Sequence, residues 1–229
     1  MRSYTLIFLA LSVSLLAPAA LAHAIGGRDA AFVQSAVGAD PFPFMYLGAK
    51  HMVTGYDHLL FLTGVIFFLY RLRDILIYVT LFSLGHSTTL ILGVLLDLGL
   101  SSHLVDMVIG LSVCWKAFDN MGGFTRLGVR VDNHIVVGGF GLIHGLGLAT
   151  KLQELGLNRE GLIENLLAFN VGVEIGQVIA LCLILVLMTL WRTSPSFGRF
   201  ALAANAALFL AGVVLAGEQL AGYVLSGGS

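Results

Sequence analysis

Along this chain the hydrophobic positions run in long, nearly unbroken stretches rather than in the amphipathic periods of a soluble fold. A spanning helix needs roughly 20 apolar residues. Stretches of that order cover residues 44–70, 75–96, 102–121, 133–150, 161–191 and 199–225. Short polar breaks separate them: Arg71 to Asp74, Asp97 with its glycine-serine turn, Gly122-Gly123, Lys151 to Glu160, and Arg192 to Pro195. The pattern predicts an all-α polytopic membrane helix bundle, about six transmembrane helices forming one domain over residues 44–225.

The start of the chain reads differently. Arg2 is followed by an apolar stretch from Thr5 to Ala17 and by Ala20-Leu21-Ala22, the three parts of a cleaved secretory signal over residues 1–22. Residues 23–43 then form a short extracytoplasmic N-terminal segment. Cleavage after Ala22 makes His23 the mature N-terminus, where an α-amine and an imidazole together can chelate a transition metal.

Composition sharpens this picture. Of 229 residues 58% are hydrophobic and 11% charged, with a mean hydropathy of +0.93. Soluble domains carry about 25% charged residues, so a soluble globular protein is excluded. Twelve basic against thirteen acidic residues leave no basic patch and no nucleic-acid partner. Cys114 and Cys182 lie inside apolar runs and read as buried small hydrophobes. Arg71, Arg73, Arg126, Arg130, Arg192 and Arg199 fall in alternate loops, against Arg28, Lys151 and Arg159 in the others. That bias puts the mature N-terminus outside.

Candidate chemistry comes from polar residues inside these stretches. An ionisable residue at mid-bilayer costs at least about 2.5–3.5 kcal/mol and usually faces the bundle interior. The first stretch holds His51, Asp57 and His58. In a straight helix the two histidines share a face, about 20° apart in projection but about 10 Å apart along the axis. One ion cannot bind both at that spacing, so either two successive ion positions or a helix loosened near Gly55 is needed. Asp57 can orient an imidazole as an acceptor. The second stretch carries His86 and Ser87, and the fourth carries His144 among glycines whose Gly141/Gly145 spacing allows close helix approach. The fifth places Asn170, Glu174 and Gln177 on one polar stripe, with Glu174 needing a cation, a histidine or a proton. Asp106, Lys116, Asp119, His103, His134, Asn205 and Glu218 are weaker signals at helix ends or isolated positions.

Together these segments resemble a known family. His51-x5-Asp57-His58-Leu59-Leu60-Phe61 is similar to the signature of the HupE/UreJ family of bacterial membrane proteins. The segments around Gly85-His86-Ser87, around His144-Gly145-Leu146-Gly147, and from Phe169-Asn170 to Glu174 and Gln177 are similar to its second branch. The resemblance covers roughly residues 45–190. It implies a multi-pass protein of the bacterial inner membrane that moves nickel or cobalt, the favoured ions. The acidic residue that follows the family's His-Gly segment is absent after His144-Gly145.

The expected function is therefore a transition-metal permease, with membrane lipids and the ion itself as partners and His23 or a separate extracytoplasmic donor delivering metal. His51, Asp57, His58, His86, His144, Glu174 and His23 are the expected metal residues, supported by Asn170, Gln177 and Ser87. Imidazoles with one or two carboxylates also suit zinc or copper. Two other classes use the same residues: an intramembrane metal-dependent hydrolase with Ser87 near an activated water, and a haem protein with histidines on facing helices. No P-loop is present for ATP-driven pumping.

Overall fold

The computed structural model describes residues 28–227 except Gly99 and Leu157. The expected signal sequence over 1–22 and His23 lie outside the described residues. Nine helices occur among those described: α1 (Arg28–Ser35), α2 (Pro41–Thr54), α3 (Tyr56–Ile66), α4 (Leu72–Leu96), α5 (Ser102–Asn120), α6 (Gly123–Arg126), α7 (Asn133–Glu154), α8 (Leu162–Arg192) and α9 (Ser196–Leu225). No strand occurs among the described residues. Four helices, α4, α7, α8 and α9, are long and apolar enough to cross a membrane. Their outward faces carry residues such as Leu84, Ile135, Leu183 and Leu202, the surface a lipid-embedded protein presents.

The other two expected spans look different. The first stretch is two helices interrupted at Gly55, and α3 ends at Ile66, short of the expected 70. The third, α5, has 19 residues but carries Asp106, Lys116 and Asp119. All three acquire partners inside the bundle, so the low hydropathy of α5 reflects what it faces.

Local chemistry sets several boundaries. Pro41 opens α2, where its missing N–H costs no hydrogen bond. Asp132 caps α7 by accepting from the His134 N–H at 2.9 Å. That bond holds the exposed Asp132 carboxyl below its usual range. Gly161, at φ +72°, starts α8 where a side chain would run into the backbone of Gly38 and Ala39. Residues 28–40 pack onto the helices that follow: Val33 of α1 is buried, Lys50 reaches Asp29 at 2.5 Å, and Asn165 of α8 bonds Asp40 N–H and Gly38 C=O.

Three close helix pairs build the bundle. Lipid tails are as apolar as leucine, so membrane helices associate through close packing and hydrogen bonds rather than exclusion of water. In the α2–α8 pair, Gly48 lies against Phe169 and Val173, Gly172 against Met45 and Ala49, and Gly176 against Ala49 and Met52. Residue numbers rise together, so the pair is parallel. The α4–α7 pair is also parallel: Gly141 meets Phe82, Gly145 meets His86 and Thr89, and Gly93 meets Ala149. Thr89 Oγ1 donates to Leu142 C=O at 2.6 Å across it. The α5–α9 pair is antiparallel, with Gly222 on His103, Gly110 on Ala216 and Gly212 on Cys114.

Cys114 is buried in that last pair, but Cys182 is exposed on α8. This corrects the expectation that both are buried. Within lipid an apolar residue is equally at home on the outer face, so an apolar run does not reveal which way a cysteine points.

Candidate metal centre

The break at Gly55 is what brings His51 and His58 together. Gly55 N–H donates to His51 C=O at 2.8 Å, closing α2, and its backbone then turns extended at ψ 105°. The imidazole centroids of His51 and His58 consequently lie 4.8 Å apart. The loosened helix, rather than two successive ion positions, is the arrangement found. A Cβ at Gly55 would stand at 3.0 Å from His51 O, Asp57 Oδ1 and His58 Nδ1, tighter than ordinary packing.

Asp57 stabilises this restart in two ways. A new helix leaves its first N–H groups without carbonyl partners. Asp57 Oδ1 accepts the His58 backbone N–H at 2.9 Å and also lies 2.9 Å from His58 Nδ1. A hydrogen on Nδ1 satisfies the second contact and leaves Nε2 with a lone pair for coordination.

The remaining histidines arrive through the α4–α7 glycine contacts. A side chain at Gly145 would strike His86 C=O, so its absence lets His144 and His86 approach the same space. The ring centroids of His86 and His144 lie 5.8 and 5.1 Å from that of His58. His144 Nδ1 donates to Phe140 C=O at 2.7 Å, which again leaves the Nε2 lone pair free. Phe61 and Phe82 stand against His144, and Phe169 against His51, enclosing the group in apolar walls.

All four histidines are buried. Both ring nitrogens of His51 and His86, and Nε2 of His58 and His144, have no hydrogen-bond partner among the described residues. Buried polar atoms are almost always satisfied, and leaving one unmade costs about 1–3 kcal/mol. Nitrogen atoms of His51, His58 and His86 lie within 4.8 Å of one another. Around a single ion with bonds of about 2 Å, donors sit within roughly 4 Å of each other, so modest imidazole rotation closes the triad.

Glu174 stands in a neighbouring layer. It accepts from Ser83 Oγ at 3.2 Å and Ser87 Oγ at 3.4 Å, while Ser83 Oγ also contacts Gln177 Oε1 at 2.8 Å. Ser83 was not singled out from the sequence, because one serine in a leucine-rich helix carries no signal of its own. Asn170 Oδ1, on the same stripe of α8, is buried without a partner among the described residues. In the sequence Asp106 is a weak signal and Lys151 a loop charge. The structure puts Lys151 in the last turns of α7, paired with the buried Asp106 at 2.7 Å. The pairing joins residues 45 apart on different helices, which no local spacing announces. His103 instead bonds Gln219, and His134 stacks on Tyr78.

A family model described as HupE / UreJ protein matches residues 27–227, nearly the whole chain. The chain belongs to the HupE/UreJ family. No curated protein and no solved structure matches it.

Proposed function

We propose that the protein is a transition-metal permease, with nickel or cobalt as favoured cargo, and that the four buried histidines are its central binding station. One observation carries this reading: imidazole nitrogens from three separate segments converge in an apolar enclosure with no hydrogen-bond partner among the described residues. Neutral imidazole is a good ligand for nickel, cobalt, zinc and copper. Membership of the HupE/UreJ family favours the first two.

The donor set also suits cargo that must leave again. A transport site has to bind well enough to strip water and loosely enough to release. Here the histidines contribute no negative charge, and Asp57 acts through His58. Asp57 is thus a positioning residue that fixes the imidazole and raises its basicity. His51, His58, His86 and His144 form that one station, Asp57 positions His58, and the oxygen layer around Glu174 lies outside the metal ligands. The hydrolase reading loses ground because Ser87 directs its hydroxyl at Glu174 rather than at the histidines.

Six alternating spans, a cleaved signal over 1–22, an outside N-terminal segment over 23–43 and an inner-membrane location complete the proposal. The parallel α2–α8 and α4–α7 pairs and the antiparallel α5–α9 pair support that alternation. His23, as the mature N-terminal residue, would capture metal outside. The test is elemental analysis of protein purified without chelator, together with uptake of nickel and cobalt by expressing cells. Uptake that is abolished in His58→Ala with the protein still inserted is the expected result. Uptake of nickel, cobalt, zinc and copper equal to wild type in His58→Ala and His144→Ala would overturn it.

A further inference from the structure

The oxygen layer beside the histidines has a donor chemistry unlike theirs. Glu174, Gln177, Ser83 and Ser87 offer a carboxylate, an amide oxygen and two hydroxyls from α4 and α8. Ser83 and Gln177 are buried, and Glu174 is partly so.

Counting hydrogens exposes an imbalance. A serine hydroxyl has one hydrogen to donate. Ser83 Oγ nevertheless faces two acceptor oxygens, Gln177 Oε1 at 2.8 Å and Glu174 Oε2 at 3.2 Å. Turning the Gln177 amide over would free the Ser83 hydrogen only by breaking another bond. Its Nε2 donates to Val79 C=O at 3.3 Å, and the flip would set oxygen against oxygen there. If Ser83 serves its nearer acceptor, Glu174 keeps only the 3.4 Å contact from Ser87. Glu174 forms no ion pair among the described residues. A carboxylate inside a membrane bundle with so little compensation calls for a cation or a proton, and the two hydroxyls and the amide oxygen gathered around it are the donors a cation uses.

We infer that this oxygen layer binds a small hard monovalent cation of the sodium class, which acts as the coupling ion for the transport proposed above and in that respect rests on it. Oxygen donors select hard ions, whereas imidazoles select transition metals. One carboxylate balances one positive charge, and calcium sites gather more oxygen ligands than these side chains supply. Ser83 and Ser87 flank His86 on α4, at three residues before and one after. A cation that draws these hydroxyls towards Glu174 therefore also moves the turn that carries a histidine of the metal station.

The test uses the full-length protein purified in detergent with choline as the background cation. Sodium chloride is titrated against thermal unfolding and against binding of radioactive sodium, and nickel binding is measured separately by equilibrium dialysis. Expected is a saturable rise in Tm and saturable binding with sodium, both lost in Glu174→Gln and weakened at least tenfold in Ser83→Ala. Nickel should still bind these variants, while His58→Ala should lose nickel and keep sodium. The inference is overturned if sodium acts no differently from choline, if the response survives in both variants, or if a pH gradient alone drives uptake with sodium irrelevant. Wild-type protein that binds sodium but no transition metal would instead remove the permease reading and leave the cation site standing.

Discussion

Two regions of this bundle bury polar side chains between closely packed helices, and they differ in how those side chains are partnered. In the seam between α5, α9 and the end of α3, Lys116 pairs with Asp119 at 2.6 Å. There Asn120 bonds Gly64 C=O and Asn205, Asn205 also bonds Ala201 C=O, and Ser112 bonds Ile109 C=O. Around Gly55 the histidines are comparably buried, yet six of their eight ring nitrogens lack such partners among the described residues. Burial alone therefore does not mark a site. A polar seam that closes on itself holds helices together, whereas one that leaves donors open is shaped for something that arrives.

The strongest way to break this contrast is to remove open donors. His58→Ala and His144→Ala should each abolish metal accumulation while immunodetection still finds the protein in the membrane fraction. Loss of the protein itself would make these residues structural, like the seam. Next in size is Gly145→Leu, whose side chain meets His86 C=O across α4–α7. Overpacking costs about 1–3 kcal/mol, sometimes more, so a lower Tm and weaker metal binding should appear together. Gly139→Ala, with open space around it, should change neither.

Asp57→Asn should lower metal affinity about 10–100-fold, the usual loss when the partner of a ligating imidazole is altered. Affinity equal to wild type in equilibrium dialysis would mean that the Asp57 contact serves only the helix restart. In the closed seam, the double replacement Lys116→Met with Asp119→Leu should be close to neutral in uptake and in Tm. Buried pairs can often be replaced as a unit by apolar residues, and the single replacement Lys116→Met should be the worse of the two. His103→Ala is the smallest change expected. It removes one bond to Gln219 and should leave uptake within experimental scatter.

Much of this arrangement was legible in the chain. Long apolar stretches gave the helices, and the cost of histidine in lipid singled out His51, His58, His86 and His144. The Gly141/Gly145 spacing indicated the close approach of α7 to another helix, which the contacts of both glycines with α4 show. The joint at Gly55 was legible only as one of two options, because residues seven apart share a face whether or not the helix is broken between them. Ser83 and the Lys151–Asp106 pair stayed hidden since their meaning lies entirely in which helix packs opposite. The outward direction of Cys182 stayed hidden because lipid and protein interior are equally apolar.

The parallel pairing of α2 with α8 has a consequence for the order in which the molecule is made. Parallel neighbours cannot be joined by a short loop, and the contact between Asp40 and Asn165 spans 125 positions of chain. Synthesis delivers the N-terminal part first. All four histidines have therefore been translated before the face that clamps α2 exists, and α2 must wait, glycine side unpaired, until α8 follows. Such distant closure is slow. A ribosome-stalled chain ending near residue 160 would possess every imidazole and still lack the wall that holds His51 in place, so metal competence should appear late and abruptly during elongation.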